Sequence, residues 1–289
     1  LLIFNMSCKS GAKSPVEDEI IASQENTAPI YEDIDKAKMI FNALPSPLES
    51  AQLIKSAGAK FDQNQMNALA NVDKYVTTKS MALNLGVYTC DLSFASMYEQ
   101  TQLIVDYMSA AKRMADGLGI LDAISQETLD LLEENINNKE EILNAVSETF
   151  LNSNSYLEDN GQPAVAAMVL VGGWFEGLYI STQLVDMNNF NGNKLVSSII
   201  DQKLSIDLLI NLLEGHQGNP AVDELILQVR KLKVVFDKIS IKSSPIQTEY
   251  DQSTNSTVIK SKVTTDMTPD VFKELMSTVA EIRSSFVKI

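Results

Sequence analysis

The chain has 289 residues, and 45% of them are hydrophobic, so it is long enough to bury a large core. Its formal net charge is −15 at pH 7. A chain this acidic lacks the cationic surface that nucleic acids require, and it also disfavours electrostatic docking on anionic lipid. Glycine and proline are sparse, whereas alanine and leucine are plentiful, which favours helix over sheet.

The first residues end in a cysteine that follows an apolar stretch. The apolar run 1–4 gives way to Cys8, which is followed by polar, charged residues. This arrangement is similar to the end of a bacterial lipoprotein signal peptide, in which the cysteine is lipidated and becomes the first mature residue. Ser7 fits the small residue before the cysteine, but Asn5 stands where such signals usually have leucine. We expect a residual signal peptide over 1–8 with a lipidated Cys8, and a flexible tether over 9–30.

From residue 31 onward, apolar positions recur at helical spacing, and residues 31–289 are predicted to form a single helical domain. Ser46 to Glu49 has the residue order of a capping box with proline at the first helical position. Thr268-Pro269 starts the last helix in a similar way. A short segment lies at about 64–75. The predicted helices are Tyr31–Ala43, Ser46–Ala57, Thr78–Met97, Glu99–Leu118, Ser125 to about Ile136, one capped by Asn138, Gln162 to near Asn188, Lys194–Glu214, Pro220–Ser240 and one from Thr268 to the C-terminus.

Residues 244–266 interrupt this helical pattern. Threonine, serine and valine are dense there, which predicts a long loop or an exposed β-ribbon. The expected fold class is therefore all-α, an irregular bundle of about ten helices with one extended segment. The longest apolar run, Ala164–Phe175, ends at Glu176 and is shorter than the ~18–20 residues that cross a bilayer, so no membrane span is predicted. Cys90 lies in an apolar helical pattern and is expected to be a buried packing residue.

The segment from Gly172 to Tyr179 combines three glycines with aromatic rings inside a predicted helix. Each glycine costs about 1 kcal/mol relative to alanine in a helix, so something must offset that cost. We favour close helix packing, because a glycine lets a neighbouring backbone approach. The alternative is a ligand pocket with Trp174 and Tyr179 as walls and Glu176 as its polar group. If Glu176 is buried, it needs a proton or a basic residue from another helix.

The sequence offers few groups for familiar catalytic or metal chemistry. His216 is the only histidine, and it lies in a glycine-flanked turn that is expected at the surface. Zinc sites of cysteine and histidine, and di-iron bundles with two Glu-x-x-His motifs, require residues that this inventory lacks. No Gly-x-Ser-x-Gly elbow and no glycine-rich phosphate loop occurs. We therefore predict no catalytic residue, no metal and no cofactor.

Several segments together resemble one group of proteins. The cysteine tether and the segments Leu44–Glu49, Leu83–Ser93 and Gly172–Tyr179 are similar to helical lipoproteins common in Bacteroidota, and the similarity covers nearly the whole chain. The resemblance implies an all-helical fold and a place in the bacterial cell envelope, with no activity or site residues attached. Surface-exposed lipoproteins of that phylum often carry acidic residues soon after the lipidated cysteine. Here the acidic cluster begins only at Glu17, which implies a periplasm-facing position on the outer membrane.

Two functions remain open from the sequence. The first is a non-enzymatic binding or scaffold subunit, anchored through Cys8, that contacts another envelope protein through an apolar groove or through residues 244–266. The alternative is a small-ligand-binding protein, or an enzyme of unrecognised type, with a pocket around Trp174, Glu176 and Tyr179. We favour the first, because the sequence shows no catalytic motif.

Overall fold

The computed structural model describes residues 43–121, 138–243, 247–251, 256–260 and 263–288. These residues belong to the unit Ile40–Ile289 and form an all-α, multi-helix bundle, which confirms the predicted fold class. Cys8, the tether over 9–30 and the helix predicted from Ser125 lie outside the described residues. The helix predicted over Tyr31–Ala43 also lies outside them, apart from Ala43.

The described residues contain eight α-helices and three short 3-10 helices. The α-helices are α1 (Pro47–Ser56), α2 (Thr78–Met97), α3 (Thr101–Gly117), α4 (Lys139–Asp159), α5 (Pro163–Gln183), α6 (Lys194–Glu214), α7 (Pro220–Phe236) and α8 (Pro269–Val287). The 3-10 helices are Gln63–Gln65, Leu69–Lys74 and Met187–Gly192.

The helix starts follow the capping residues in the sequence. At α1 the Glu49 N–H donates to the Ser46 hydroxyl at 3.2 Å, and the Ser46 N–H donates to the Glu49 carboxylate at 2.7 Å. These two bonds close the predicted capping box. At α8 the Val271 N–H donates to the Thr268 hydroxyl at 3.3 Å. Short-range side-chain bonds therefore set both starts, and the sequence shows them directly.

The helix ends are predicted less well. Helix α5 ends at Gln183 and not near Asn188, because Asp186 has an extended backbone and its carboxylate accepts from the Asn188 N–H at 2.9 Å. That bond starts a separate 3-10 helix. Helix α7 likewise ends at Phe236 and not at Ser240.

The segment predicted as a loop or ribbon is an antiparallel ribbon in its described residues. Strand β1 (Ile241–Ser243) pairs with β4 (Val263–Thr265), and β2 (Gln247–Asp251) pairs with β3 (Ser256–Lys260). Both pairs are antiparallel, and each contains two strands. The ribbon alternative for residues 244–266 is therefore confirmed where the chain is described.

Helices α2 and α5 form the centre of the bundle. Both are buried around nearly their whole circumference, which explains why neither has a polar stripe. Helices α1, α4 and α8 pack on both of them, α3 packs on α2, and α6 packs on α5. Large side chains from the two central helices are fully buried between these neighbours, among them Tyr88, Phe94, Leu170 and Phe175. Their burial supplies much of the driving force for folding.

Helix α5 is also long and apolar enough to cross a membrane by composition. Its most apolar window has a mean hydropathy of 1.5, and 83% of that window is buried inside the fold. The expectation that no stretch has the composition of a span is therefore wrong for α5. Its burial is typical of the core helix of a globular bundle.

The crossing of α2 and α5 requires glycine. A Cβ atom on Gly172 would lie 2.0 Å from the Leu83 carbonyl oxygen, and one on Gly86 would lie 2.0 Å from the Val169 carbonyl oxygen. The contact is reciprocal, because each glycine faces the carbonyl three residues before the other. The two backbones therefore touch directly, and the packing gained offsets the helix-propensity cost of the glycines. This supports close packing as the reason for Gly172.

The two central helices run past each other in the same direction. A Cβ on Gly173 would lie 3.4 Å from the Gly86 oxygen, and one on Gly177 would lie 3.6 Å from the Cys90 sulfur. Contacts thus advance together along both chains. Residues that follow the glycine contact by about one turn on each helix are consequently brought together as well.

We expect Gly172→Ala to lower the free energy of unfolding by about 3 kcal/mol, because the new methyl group must push two backbones apart. Urea denaturation measures this change. Gly173→Ala is the matched control in the same turn, since its Cβ would come no closer than 3.3 Å to Pro47. A Gly172→Ala variant as stable as the Gly173→Ala control would contradict the direct backbone contact.

Candidate functional site

The three residues predicted to line a pocket point in two directions. The Trp174 indole N–H donates to Gln202 of α6 at 3.1 Å. Glu176 and Tyr179 instead meet Arg283 of α8, whose guanidinium bonds the carboxylate and lies 4.5 Å from the centre of the Tyr179 ring. Residues two apart on a helix lie on opposite sides, which explains the separation of Trp174 from Glu176. The structure therefore brings only two of the three together.

Glu176 lies in the core. Its side chain is 0% exposed, and that of Arg283 is 12% exposed. Arg283 Nε donates to Glu176 Oε2 at 2.8 Å, and Arg283 Nη2 donates to Glu176 Oε1 at 2.7 Å, so the pair is bidentate. A basic partner from another helix, the requirement stated for a buried Glu176, is thus present. A pocket that exposes Glu176 is contradicted, because both of its carboxylate oxygens are engaged by Arg283.

Arg283 remains charged in this environment. Burial lowers the pKa of the guanidinium, but the neighbouring Glu176 carboxylate outweighs that effect, and the pKa is raised above its ordinary value. The stacked Tyr179 ring adds a cation–π contact on one face of the guanidinium. Glu176 and Tyr179 are therefore best understood as the binding site for an arginine of the same chain.

A second carboxyl group, that of Asp91 on α2, lies beside Glu176. Asp91 is fully buried, and its side chain is within hydrogen-bonding reach of Glu176. Burial raises the pKa of Asp91 well above its usual value and the charge of Glu176 raises it further, whereas Arg283 and the bond from Asn67 lower it. We refer to Asp91, Glu176 and Arg283 as the carboxyl cluster.

Within the described ranges, the hydrogen bonds of Asp91 leave one of its two carboxyl oxygens without a donor. Its Oδ2 accepts from the Asn67 N–H at 2.9 Å, whereas Oδ1 has no donor partner among the described residues. Two carboxylates within reach of each other can form a hydrogen bond only if one of them carries a proton. We infer that Asp91 Oδ1 is protonated and donates to Glu176. The carboxyl cluster then holds one positive and one negative charge, which a low-dielectric core tolerates far better than a net charge.

Asn67 joins the carboxyl cluster to other parts of the fold. Besides donating to Asp91 from its backbone, it donates from its side chain to Tyr75 at 3.0 Å and to Asn84 at 3.1 Å. Its carbonyl accepts from the Tyr107 hydroxyl at 2.8 Å. Asn67 is itself buried, so these bonds satisfy polar groups that water cannot reach.

The same network holds the end of α8. Asn84 donates to the Phe286 carbonyl at 2.9 Å, and the Tyr75 hydroxyl donates to the Val287 carbonyl at 3.0 Å. The last carbonyls of a helix have no partner within the helix, so these side chains supply the missing donors. Helix α8 is therefore fixed to the core at two places, at Arg283 and at its last turn.

The remaining ionisable groups around the carboxyl cluster are held in their neutral forms. Burial raises the pKa of Tyr75 and Tyr107 above the ordinary phenol value, so both hydroxyls remain hydrogen-bond donors. Burial also raises the pKa of the Cys90 thiol well above its usual value, and Cys90 is a buried, free thiol as expected. These groups form hydrogen bonds or pack inside the protein. The arrangement can therefore hold a proton on Asp91 and fix α2, α5 and α8 relative to one another.

The sequence identifies Glu176 but does not single out its partners. Asp91 does carry a signal, because it is the only acidic residue in the buried helix α2, as Glu176 is in α5. Arg283 follows Val279 by one turn and so lies near the apolar face of α8. Asn67 lies between two short 3-10 helices, and its local sequence gives no indication that it is buried and makes several hydrogen bonds.

Comparison of this chain with protein-family models, characterised proteins and solved structures finds no match. Among the described residues, no group of three or more histidine, cysteine, aspartate or glutamate side chains is placed to hold a metal ion.

We expect Asp91→Asn to remove a pH-dependent loss of stability. Asparagine matches protonated aspartate in shape, and it can accept from Asn67 and donate to Glu176. Because folding raises the pKa of Asp91, its favourable contribution is complete below the ordinary value of 3.8 and is lost as the pH rises through the raised value. Urea denaturation from about pH 4 to pH 8 should show the variant gaining stability relative to the wild type.

The exposed residue Asp201 provides the control, since Asp201→Asn should keep the pH dependence of the wild type. If Asp91→Asn also keeps it, the inferred proton on Asp91 is absent.

The complementary variant in this series is Glu176→Gln, which leaves Arg283 buried without its counter-ion. We expect it to lower the free energy of unfolding by about 3–5 kcal/mol. Asp91 can partly replace the lost charge by releasing its proton, so the substitution should cost more in the Asp91→Asn background. Urea denaturation of the four proteins measures this coupling, and strictly additive costs would contradict it.

Proposed function

We propose that this chain is a helical, non-enzymatic protein of the bacterial cell envelope that acts as a binding or scaffold subunit and is anchored through a lipidated Cys8. The observation that carries the non-enzymatic part is the carboxyl cluster. Asp91, Glu176 and Arg283 are ionisable groups in a buried setting that shifts pKa values, as in many active sites. Here, however, they interact with one another inside the core. They serve to fix α2, α5 and α8 in one arrangement.

The proposed anchor is based on the sequence around Cys8. An apolar run precedes it, Ser7 is small, and a polar tether follows. The net charge of −15 favours a covalent anchor over electrostatic attachment to anionic lipid. Two or three acyl chains, at about 0.8 kcal/mol per buried methylene, hold a protein stably on a membrane. The late acidic cluster at Glu17 supports a periplasm-facing position on the outer membrane.

The ribbon of β1 to β4 is the proposed contact with a partner protein. Within the described residues each of its strands pairs along one edge only. A strand edge without a neighbour presents backbone N–H and C=O groups that a strand of another protein can pair with. The helical body behind it is held by the buried bonds of Asn67 and Arg283, which suits a scaffold that presents such an edge.

The anchor is tested in cells that make the protein with its complete leader. A fatty acid carrying an alkyne tag should label the wild type, whereas Cys8→Ser should lose the label. Cys90→Ser is the matched control and should keep it, since Cys90 is buried in α2. Mass spectrometry of the mature N-terminal peptide identifies the modification, and an unmodified Cys8 there would refute the anchor.

The partner contact is tested by deleting the whole ribbon, residues 241–265, from the otherwise complete protein and joining the two ends with a short glycine-serine linker. Cross-linked membranes should yield a defined complex with the wild type and lose it with the deletion, while the melting temperature of the helical body stays close to that of the wild type. Recovery of the same complex without the ribbon would contradict the assigned contact, and the absence of any stable partner would count against the scaffold role.

A further inference from the structure

An apolar cavity of about 60 Å³ lies between α2, α3, α4 and α5. Its inner wall is formed by buried side chains, with Leu85 and Leu92 from α2, Val146 from α4 and Val169 from α5. Neither Glu176 nor Tyr179 contributes to it. Apolar cavities stay dry and accept apolar ligands, and one of roughly 150 Å³ holds a benzene molecule. A cavity of this smaller size suits a short, narrow alkyl segment.

The wall that α3 contributes is open to solvent. Met108 and Ala111 are partly exposed there, and Lys112 is exposed. Lys112 has no ion-pair partner among the described residues, whereas the adjacent Arg113 pairs with Asp73 at 2.6 Å. The cavity therefore has an apolar interior, and the exposed Lys112 belongs to its lining on the solvent side.

Thr149 adds a second polar feature to the lining. Its hydroxyl oxygen is buried and has no hydrogen-bond partner in the described part of the chain. Thr89 on the α2 wall differs, because its hydroxyl donates to the Leu85 carbonyl at 2.7 Å. An unsatisfied buried hydroxyl is unfavourable, and an acceptor atom on a bound ligand would satisfy it.

We propose that this cavity is a binding site for a short-chain fatty acid, with the alkyl chain in the apolar interior and the carboxylate near Lys112 and Thr149. The dry interior suits a hydrocarbon chain, and a carboxylate can accept both from an ammonium group and from a hydroxyl. The site goes beyond the proposed scaffold function, because neither its lining nor its ligand depends on Cys8 or on the ribbon.

Butyrate is the probe, because its three-carbon chain matches a cavity of about 60 Å³, and the methyl group of Met108 is the reporter. In full-length protein with ¹³C-methyl methionine, butyrate should shift the Met108 resonance, assigned with Met108→Leu, in a saturable manner. Ala111→Leu fills the cavity and should abolish the shift. Thr149→Val keeps the shape of the lining and should weaken butyrate binding. It replaces Ala111→Leu as the test if that variant does not fold. The absence of a saturable Met108 shift, or an unchanged affinity in these variants, overturns the site.

The role of Lys112 is tested with a neutral ligand of the same length. Lys112→Met removes the charge but keeps the aliphatic stem, so it should weaken butyrate binding by about two- to fivefold and leave 1-butanol binding unchanged. Lys194→Met on α6 is the matched control, since Lys194 is exposed and does not line the cavity, and it should change neither affinity. Equal effects of Lys112→Met on the binding of butyrate and of 1-butanol would overturn the assigned carboxylate position.

Discussion

A largely buried arginine is the constraint on which the rest of this structure depends. Helix α8 brings Arg283 into the core, where an unpaired charge would be prohibitively unfavourable. Glu176 on α5 supplies the counter-ion in bidentate geometry, and the ring of Tyr179 covers one face of the guanidinium. Helices α5 and α8 must therefore take up their positions together, because the charge of Arg283 is balanced only when they meet in this register.

The glycine contact between α2 and α5 places the third member of the carboxyl cluster. Gly86 and Gly172 let the two backbones touch, and about one turn farther along each helix stand Asp91 and Glu176. A larger residue in place of Gly172 would push the two backbones apart and so separate the carboxyl groups of Asp91 and Glu176. Brought together in the core, they resolve their repulsion most simply by sharing a proton. The packing of two helices thus sets the protonation state of a side chain.

Much of the fold follows from local sequence, and much of the site does not. The capping residues Ser46 and Thr268 set helix starts through hydrogen bonds to the residue three positions later, so the sequence alone predicts these starts. The need of a buried Glu176 for a basic partner also follows from its place in an apolar helix. The identity of that partner does not, because Arg283 lies 107 positions away and meets it only in the folded bundle. The cavity beside Lys112 is hidden from the sequence for the same reason, as four helices contribute its walls.

The protonation of Asp91 in the folded protein can be measured directly by ¹³C NMR of its side-chain carboxyl carbon, assigned with the Asp91→Asn variant. We expect the chemical shift to remain that of a protonated carboxyl group well above pH 3.8, the ordinary value for aspartate, because burial and Glu176 raise the pKa. A resonance that titrates near pH 3.8 would contradict the shared proton and, with it, the neutral carboxyl cluster at the centre of this fold.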